Sequence, residues 1–405
     1  MPKILARRAR AYLLALAAIA LAGAGLWIGT RPEQDPFKAS AIVDPPFVSL
    51  TYGIQTFLWW NEPQRGLHLH LVRLMSFSHA KQTFAWSDLE PYQGQWIWEQ
   101  SDRIVESIED RGLQLVARLG KVPDWARAES ADPAAHDSPP ADLGNWANFC
   151  SAVAGRYRGR ISAYQIWNEP NLGREWGNTQ PDAAAYVELL GACSRAIRQA
   201  DSQAILISAG LSPTGTNDER ATPDDVFLDH MYRNDFQEFI DVVGAHAPGY
   251  APPEVGPDDP EAKARWFTFR RVEDLRKIML RYNDDARQMA IMEFGYTTDT
   301  LNPDYAWFGV TEEQQADYLE RAYEYAIANW RPWIGLMTLI YMPDLTWLPQ
   351  DEEYWWSILD PASGMPREAY IKLANMRKVC GERIIPQRPA DGPVALGEKI
   401  APVCP

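Results

Sequence analysis

The sequence has few histidines and cysteines and is short of positive charge. It contains 6 His and 4 Cys in 405 residues, and no two cysteines have the Cys-x-x-Cys spacing. Because zinc sites are typically built from such clusters, we predict no metal site and no cofactor. Asp and Glu outnumber Lys and Arg by 54 to 39, a net charge of −15. Nucleic acid and anionic membrane surfaces attract basic patches, so neither is an expected partner.

Several sequence patterns are also missing. No Gly-x-Gly-x-x-Gly follows the first candidate strand, which argues against dinucleotide binding, and there is neither an internal repeat nor a low-complexity tract. What is abundant is tryptophan, with 17 residues. A large flat ring with one N–H is suited to stacking on ligand faces, so the surplus suggests a surface that binds flat ligands.

The amino-terminal 30 residues form a separate segment. Basic residues precede an uncharged stretch of 19 residues, Ala11–Gly29. This is nearer the roughly 20 residues that span a bilayer than the roughly 7–15 of a signal-peptide core. Residues 1–30 are therefore predicted to be a signal-anchor, with a cleaved signal peptide and secretion as the alternative. The basic flank stays in the cytoplasm, so the rest of the chain is expected to be exported and extracytoplasmic.

Residues 31–46 are rich in proline and are predicted to be a linker, residues 47–380 one large domain, and residues 381–405 a Pro-rich extension. Four cysteines allow three pairings. Cys150 and Cys193 fall in candidate helices that would be neighbours, so we expect them to pair with each other, and Cys380 with Cys404. Four free buried thiols are the alternative.

Short apolar runs alternate with helical patterns from residue 50 onwards. Several runs are apolar throughout, as strands buried on both faces require. The alternation predicts one (β/α)8 barrel, with a doubly wound open sheet as the alternative. The candidate strands are Leu50–Phe57, Lys81–Trp86, Leu113–Leu119, Ala163–Asn168, Ala204–Ala209, Asp241–His246, Met289–Phe294 and Gly335–Tyr341. The candidate helices include Asp102–Arg111, Pro181–Gln199, Ala264–Tyr282, one that begins at Thr311, and Pro366–Lys378.

Two candidate strands end in a glutamate. The fourth ends in Asn168-Glu169-Pro170, where Pro170 has no N–H to continue a central strand. The seventh carries Glu293 inside an apolar run, where a carboxylate is costly to bury without partners. In a barrel the active site lies at the carboxyl ends of the strands, so both carboxylates should face one cavity. Such a pair is the equipment for cleaving glycosidic bonds, provided that the two pKa values are pushed apart.

From Tyr52 to Met376 the chain resembles the clan A glycoside hydrolases, the retaining (β/α)8 group, and most of all the set around families 5 and 39. The resemblance implies that Glu169 is the acid/base catalyst and Glu293 the nucleophile. It further implies that Asn168 holds the sugar 2-hydroxyl. The run from Trp86 through Glu90-Pro91 to Gly94 is similar to a segment after strand two of the clan.

The resemblance also has departures. Lys81 stands where the family usually has an arginine near the nucleophile, and Tyr341 ends strand eight where a tryptophan is common. His246 and Tyr250 lie where family members orient the nucleophile or contact sugar. The complete set of predicted substrate-binding residues is Asn168, His246, Tyr250, Trp86, Trp125, Trp176, Tyr341 and Trp355. Further aromatic residues in the loops, also expected to pack on sugar rings, are Trp59, Trp60 and Trp356.

These features together predict a monomeric retaining glycoside hydrolase that acts on a β-linked oligo- or polysaccharide. By analogy with anchored family members, that substrate would be an exopolysaccharide. Two alternatives stay open: a non-catalytic carbohydrate-binding or scaffold protein of polysaccharide export, and a transglycosylase. The sugar, its linkage, and endo or exo action are left open by the sequence.

Overall fold

The computed structural model describes residues 42–129, 131–381 and 383–385. The predicted membrane segment, most of the predicted linker and Cys404 lie outside these ranges. Within them, no helix combines the length and the apolar character needed to cross a bilayer.

Eight parallel strands close into a barrel in sequence order, with the last strand pairing with the first. The predicted (β/α)8 barrel is confirmed, and each candidate strand overlaps an observed one. The first and last strands are buried along their whole length, because the barrel interior covers one face and helices the other. The strands are Thr51–Thr56 (β1), His79–Ala85 (β2), Gln114–Gly120 (β3), Ile161–Ile166 (β4), Ile205–Ser208 (β5), Val242–His246 (β6), Gln288–Phe294 (β7) and Ile334–Leu339 (β8).

Helices follow the strands around the barrel. Side-chain caps mark two of the helix starts: Asp182 accepts from the N–H groups of Ala184 and Ala185, and Thr311 and Gln314 form a capping box. The helices are Glu62–Leu74 (α1), Trp86–Leu89 (α2), Glu99–Asp110 (α3), Leu143–Arg156 (α4), Ala183–Ala200 (α5), Asp224–Arg233 (α6), Val272–Arg281 (α7), Glu312–Asn329 (α8), Glu353–Trp356 (α9) and Glu368–Asn375 (α10).

Two predicted helices are shorter than expected. The segment 264–282 is not one helix, because Thr268 is extended and separates two short 3-10 turns, Arg265–Phe267 and Phe269–Arg271. The second turn leads directly into α7. At the carboxyl end, α10 stops at Asn375. Lys378 instead belongs to a small antiparallel hairpin, Lys378–Cys380 (β9) with Arg383–Ile385 (β10). Its ammonium group donates to the carbonyls of Leu373, Ala374 and Met376 and thereby closes the end of α10.

The predicted Cys150–Cys193 pair is confirmed as a disulfide, with an S–S distance of 2.01 Å. It joins α4 to α5, and both cysteines are buried. For the second predicted pair, Cys404 lies outside the described residues, so that pairing stays a prediction.

The amino-terminal end of the barrel is closed by Phe47. Its backbone N–H and C=O bond to the side chain of Gln288 at the start of β7, and its ring packs into the barrel core. The residues around it are apolar and come from six strands: Val116, Ala163, Ile207, Val242, Ala290, Met292 and Leu336. The opposite, carboxyl end of the barrel is open.

Candidate active site

A cavity of about 640 Å³ lies at the carboxyl ends of the strands. Its walls combine strand-end residues such as Gln55, Asn168 and Glu293 with side chains from the loops after β3, β4 and β8. The volume falls within the range of small-molecule sites, about 300–1,000 Å³. The loops after these strands therefore form a cavity at the carboxyl end of the barrel.

Glu169 reaches this cavity from a constrained backbone. Both Trp167, at φ 73°, and Glu169, at φ 42°, are in the left-handed region, which is costly for residues other than glycine. The surroundings hold them there: Glu169 N–H donates to Gly210 O at 3.1 Å. The Asn171 amide donates to the carbonyls of Ser212 and Thr222 at 2.8 and 3.0 Å. Pro170 thus lies in an anchored turn that directs the carboxylate inward.

Glu293 lies near the end of β7 and is held by two cations. Its Oε1 is 3.0 Å from Lys81 Nζ and 3.3 Å from Arg118 Nη1. Lys81 comes from β2, is fully buried, and also donates to Met292 O at 3.0 Å. Lys81 therefore occupies the place beside the nucleophile candidate that the family resemblance gave to an arginine.

Glu169 and Glu293 are brought together, with His246 between them. Single ligand atoms of these three side chains lie within 4.8 Å of one another. His246 Nδ1 is 2.9 Å from Glu169 Oε1 and 3.9 Å from Glu293 Oε2. The two carboxylates therefore face each other across one cavity, in the arrangement that the sequence predicts.

The imidazole of His246 can be assigned a tautomer. Its Nε2 is buried and makes no hydrogen bond, and it packs so closely on Gly210 that a Cβ there would lie 2.1 Å away. A buried N–H without an acceptor is costly, so the proton belongs on Nδ1. His246 then donates from Nδ1 to Glu169 Oε1.

The environment of Glu169 holds it ionised while the cavity is empty. Burial by itself raises the pKa of this carboxyl, but the hydrogen bond from His246 and the nearby Arg174 guanidinium lower it further than burial raises it. Arg174 Nη2 lies 3.1 Å from Glu169 Oε2. Both carboxylate oxygens are therefore engaged.

Glu293 is held ionised as well. Burial raises the pKa of its carboxyl, and the positive charges of Lys81 and Arg118 overcome this and lower it. Burial also lowers the pKa of the Lys81 ammonium to about 8, against the opposing attraction of Glu293. An ionised Glu293 is the state that a nucleophile requires.

The Glu169, His246 and Glu293 cluster also has the spacing of a metal site. Three cationic side chains already lie against its two carboxylates: Lys81 and Arg118 on Glu293, and Arg174 on Glu169. A divalent cation here would be repelled by all three, since like charges at such distances cost energy. The donor set therefore fits proton transfer better than metal binding.

Two of these cations were not predicted from the sequence. Arg118 lies in β3 and links Glu293 to the residue before Glu169, because its Nη1 also donates to Asn168 Oδ1 at 3.1 Å. A charge in the apolar run Leu115–Leu119 was the available signal, of the same kind that identified Glu293. Arg174, in the loop after β4, gave no comparable signal.

Some predicted sugar-contacting aromatics do line the cavity: Trp59, Trp60, Tyr341 and Trp356. Asn168 and His246 line it as well. Five others are not among the residues that line it, and their contact with sugar stays a prediction: Trp86, Trp125, Trp176, Tyr250 and Trp355.

The reason is that these five side chains are used in packing. Trp176 packs edge-on against Trp167 with ring centroids 5.9 Å apart. The Tyr250 hydroxyl accepts from the N–H of Ala264 at 2.8 Å. The Trp355 indole donates to Pro349 O at 2.9 Å. These side chains are held by the protein itself.

The run from Trp86 to Gly94 is likewise a structural motif. The Trp86 indole donates to Glu90 Oε2 at 2.7 Å, and Gly94 N–H donates to Glu90 Oε1 at 2.7 Å. The Trp125 indole donates to Glu90 O at 2.9 Å. Glu90 thus organises the loop after β2, and the two tryptophans lie behind the cavity wall.

The eight-stranded parallel barrel of this chain is also the fold of several solved glycoside hydrolases. No protein-family model and no curated protein matches the sequence. Solved structures do match. One is a family 39 glycoside hydrolase from Bacteroides cellulosilyticus WH2, with 18% identity and a TM-score of 0.59 over 83% of this chain and 64% of that one.

Two others are similar. A family 39 β-xylosidase from Caulobacter crescentus has 17% identity and a TM-score of 0.55, covering 84% of this chain and 72% of that one. Xylanase 10B from Thermotoga maritima has 15% identity and a TM-score of 0.55, covering 80% and 94%. The resemblance to clan A and family 39 is supported at the level of the fold. The chain spans slightly less than two thirds of the Bacteroides protein.

Proposed function

We propose that this protein is a retaining glycoside hydrolase that cleaves β-linked O-glycosidic bonds of an oligo- or polysaccharide. The observation that carries the proposal is the approach of Glu169 and Glu293 to within 4.8 Å, counted between single carboxylate oxygens. Retaining enzymes hold their two carboxyl groups about 5–5.5 Å apart, whereas inverting enzymes need about 6.5–9.5 Å to admit a water. The spacing supports retention.

In the proposed first step, a protonated Glu169 gives its proton to the glycosidic oxygen while Glu293 attacks the anomeric carbon. The bond to the leaving group breaks and a glycosyl ester on Glu293 forms. In the second step Glu169, now a carboxylate, takes a proton from water, and the resulting hydroxide attacks the same carbon. Glu293 is released and Glu169 is protonated again.

The charges around each glutamate support this division of roles. Glu293 faces Lys81 and Arg118, which favour the ionised nucleophile. Glu169 is oriented by His246, and its Oε2 faces the cavity side where Arg174 approaches. Asn168 precedes Glu169 and accepts from Arg118 through its amide Oδ1, which orients its NH₂ group for a sugar hydroxyl.

Aromatic side chains support a carbohydrate as the ligand. Trp59, Trp60 and Trp356 line the same cavity as the carboxylates, and such rings pack on the apolar faces of pyranoses while polar groups bind the hydroxyls. The related structures include enzymes named as a xylosidase and a xylanase. We propose a sugar polymer or oligomer as substrate.

The test is a panel of aryl β-glycosides and defined oligosaccharides. Products are identified by mass, and the anomer formed first is followed by proton NMR. We expect hydrolysis with the β-anomer appearing first, and its loss in Glu293→Gln. The matched control is Glu324→Gln, an exposed glutamate on α8. An α-anomer would contradict retention, and no hydrolysis of any substrate would favour a carbohydrate-binding protein. Oligosaccharides longer than the substrate would indicate transglycosylation.

We also propose that the protein is exported and anchored through residues 1–30, with the barrel outside the cytoplasm, where it acts on an exopolysaccharide. The Cys150–Cys193 disulfide supports an oxidising compartment, since such bonds are rare in the cytosol. Cell fractionation with alkylation of free thiols tests this. A reduced protein in the cytosolic fraction would contradict it.

A further inference from the structure

The two oxygens of Glu169 are not equivalent. Oε1 accepts from His246 Nδ1 at 2.9 Å, and Oε2 accepts from Arg174 Nη2 at 3.1 Å. The imidazole of His246 cannot easily withdraw, because its far edge lies against the backbone of Gly210 and His246 is part of β6. If Glu169 is to protonate a leaving group, only Oε2 is available, and Arg174 occupies it.

Arg174 combines a fixed backbone with a movable side chain. In its 3-10 turn Gly173 N–H donates to Arg220 O at 2.7 Å, and Arg174 O accepts from Asp137 N–H at 3.2 Å. A Cβ at Gly173 would lie 2.8 Å from Glu219 O, so the turn is tightly packed. The Arg174 side chain, in contrast, is 55% exposed. A ligand entering the cavity therefore meets a guanidinium that can be moved.

A second partner for this guanidinium lies on the other wall. Tyr305 interacts through its hydroxyl with both Arg174 and the carboxylate of Glu352, and all three line the cavity. Burial, with a contribution from Glu353, raises the pKa of Glu352 to about 7, against the opposing hydrogen bond from Tyr305. A carboxylate that is costly to ionise gains most from an approaching cation. Glu352 is thus suited to receive Arg174.

We propose that Arg174 is a latch on Glu169: it covers Oε2 while the cavity is empty, and a bound sugar displaces it toward Tyr305 and Glu352. The proposal rests on the proposed glycosidase function. It makes Arg174 a positioning residue that acts through Glu169. Removing a cation from a carboxylate raises the pKa of that carboxyl, so displacement would protonate Glu169 when the leaving group arrives.

Other charges near Glu169 stay in place during this exchange. Lys81 and Glu293 approach it from the barrel interior, and His246 approaches from β6. Tyr341 and Glu352 approach from the β8 side. Lys81 is fully buried, whereas Arg174 is more than half exposed. Of these two cations, Arg174 is the one that both contacts Glu169 directly and has a side chain exposed enough to move.

The first test needs no turnover. Infrared spectra of wild type and of Glu169→Gln are recorded over a range of pH. The difference between the two sets of spectra isolates the signal of the Glu169 carboxyl. We expect its midpoint below the usual glutamate value, and a rise of about one pH unit or more in Arg174→Gln. The matched control is Arg103→Gln, an arginine of similar exposure, 51%, paired with Glu62 on the surface. An unchanged midpoint in Arg174→Gln overturns the latch whether or not the protein is a glycosidase.

The second test uses the aryl β-glycoside of the panel that wild type hydrolyses fastest. The alkaline limb of kcat/KM reports the free enzyme and that of kcat the complex. In wild type we expect the alkaline limb of kcat to lie about one pH unit above the alkaline limb of kcat/KM. In Arg174→Gln we expect the two limbs to coincide. Coincident limbs in wild type overturn the displacement. If no substrate is hydrolysed, the proposed function fails while the infrared result still decides the latch.

A double-mutant cycle tests the receiving partner. Glu352→Gln should lower the kcat limb in wild type and have no effect in the Arg174→Gln background, since the variants then act through one contact. An equal shift in both backgrounds would show that Glu352 acts on Glu169 by its charge alone, which contradicts the exchange.

Discussion

Gly210 is a position where one methyl group should disturb the candidate acid. An added Cβ would lie 2.1 Å from His246 Nε2 and 2.2 Å from its Cδ2. To reach an ordinary contact of 3.4 Å, the ring must withdraw by about 1.3 Å. Because Nδ1 lies on the opposite side of the ring and faces Glu169, this movement drives the ring against the carboxylate. The ring must therefore turn aside, which breaks the 2.9 Å hydrogen bond between His246 Nδ1 and Glu169 Oε1. Gly210 does not itself line the cavity, so Gly210→Ala is a change behind the cavity wall that acts on Glu169 through His246.

The magnitude follows from the lost hydrogen bond. A hydrogen bond to a charged group contributes about 1.5–3 kcal/mol, and about 1.4 kcal/mol corresponds to one pKa unit. The pKa of Glu169 should rise by about 1–2 units, because the hydrogen bond stabilises the ionised form. A misplacement of about 1 Å in a catalytic group costs on the order of 100-fold in rate. We expect a loss of that size in kcat.

The assay measures kcat, KM, the pH profile and the melting temperature. Gly155→Ala is the matched control, because Gly155 lies on α4 and an added methyl group there would have no atom within 4 Å. The effect must also vanish when His246 is already alanine. If Gly210→Ala keeps the wild-type kcat and pH profile, or if it is equally harmful without His246, the reasoning is refuted.

Three further predictions follow from the site and the core. Glu169→Gln should lose about 10²–10⁴-fold in kcat, the range of general acid catalysis, with aryl glycosides of good leaving groups least affected. Lys81 has a pKa of about 8 when folded, caused chiefly by burial, against 10.5 in the open chain. Between these two pH values the unfolded state binds more protons than the folded state, so the free energy of unfolding rises with pH. Measured by denaturation, the free energy of unfolding of wild type should rise by on the order of 3 kcal/mol relative to that of Lys81→Met. A difference between the two proteins that does not change with pH would contradict the burial of Lys81. Replacing Cys150 and Cys193 by alanine opens a loop with a sequence separation of 43 and should cost about 4 kcal/mol in urea denaturation; unchanged stability would contradict this.

The sequence was sufficient for the barrel and for the positions of its two carboxylates. Strand period and apolar runs are local properties, and a glutamate that ends such a run is visible without any contact information. Glu169 and Glu293 were identified in this way. Once the barrel is predicted, the pairing of β8 with β1 places Glu169 and Glu293 around the same cavity.

The aromatic residues show where sequence reasoning stopped. Trp59 and Trp86 both follow barrel strands, and a pattern does not say which ring faces a cavity. Trp86 turns away because Glu90 accepts its N–H. Arg174 and Gly210 were missed for a related reason, since their importance lies in contacts with Glu169 and His246 that depend on the folded chain. Local signals give the catalytic candidates, and packing decides their neighbours.

Phe47 makes the two ends of the barrel different. It seals the amino-terminal end of the barrel, and the cavity with the two glutamates opens at the other end. None of the described residues before β1, 42–50, lines that cavity. A ligand therefore reaches Glu169 and Glu293 from the open end without passing Phe47.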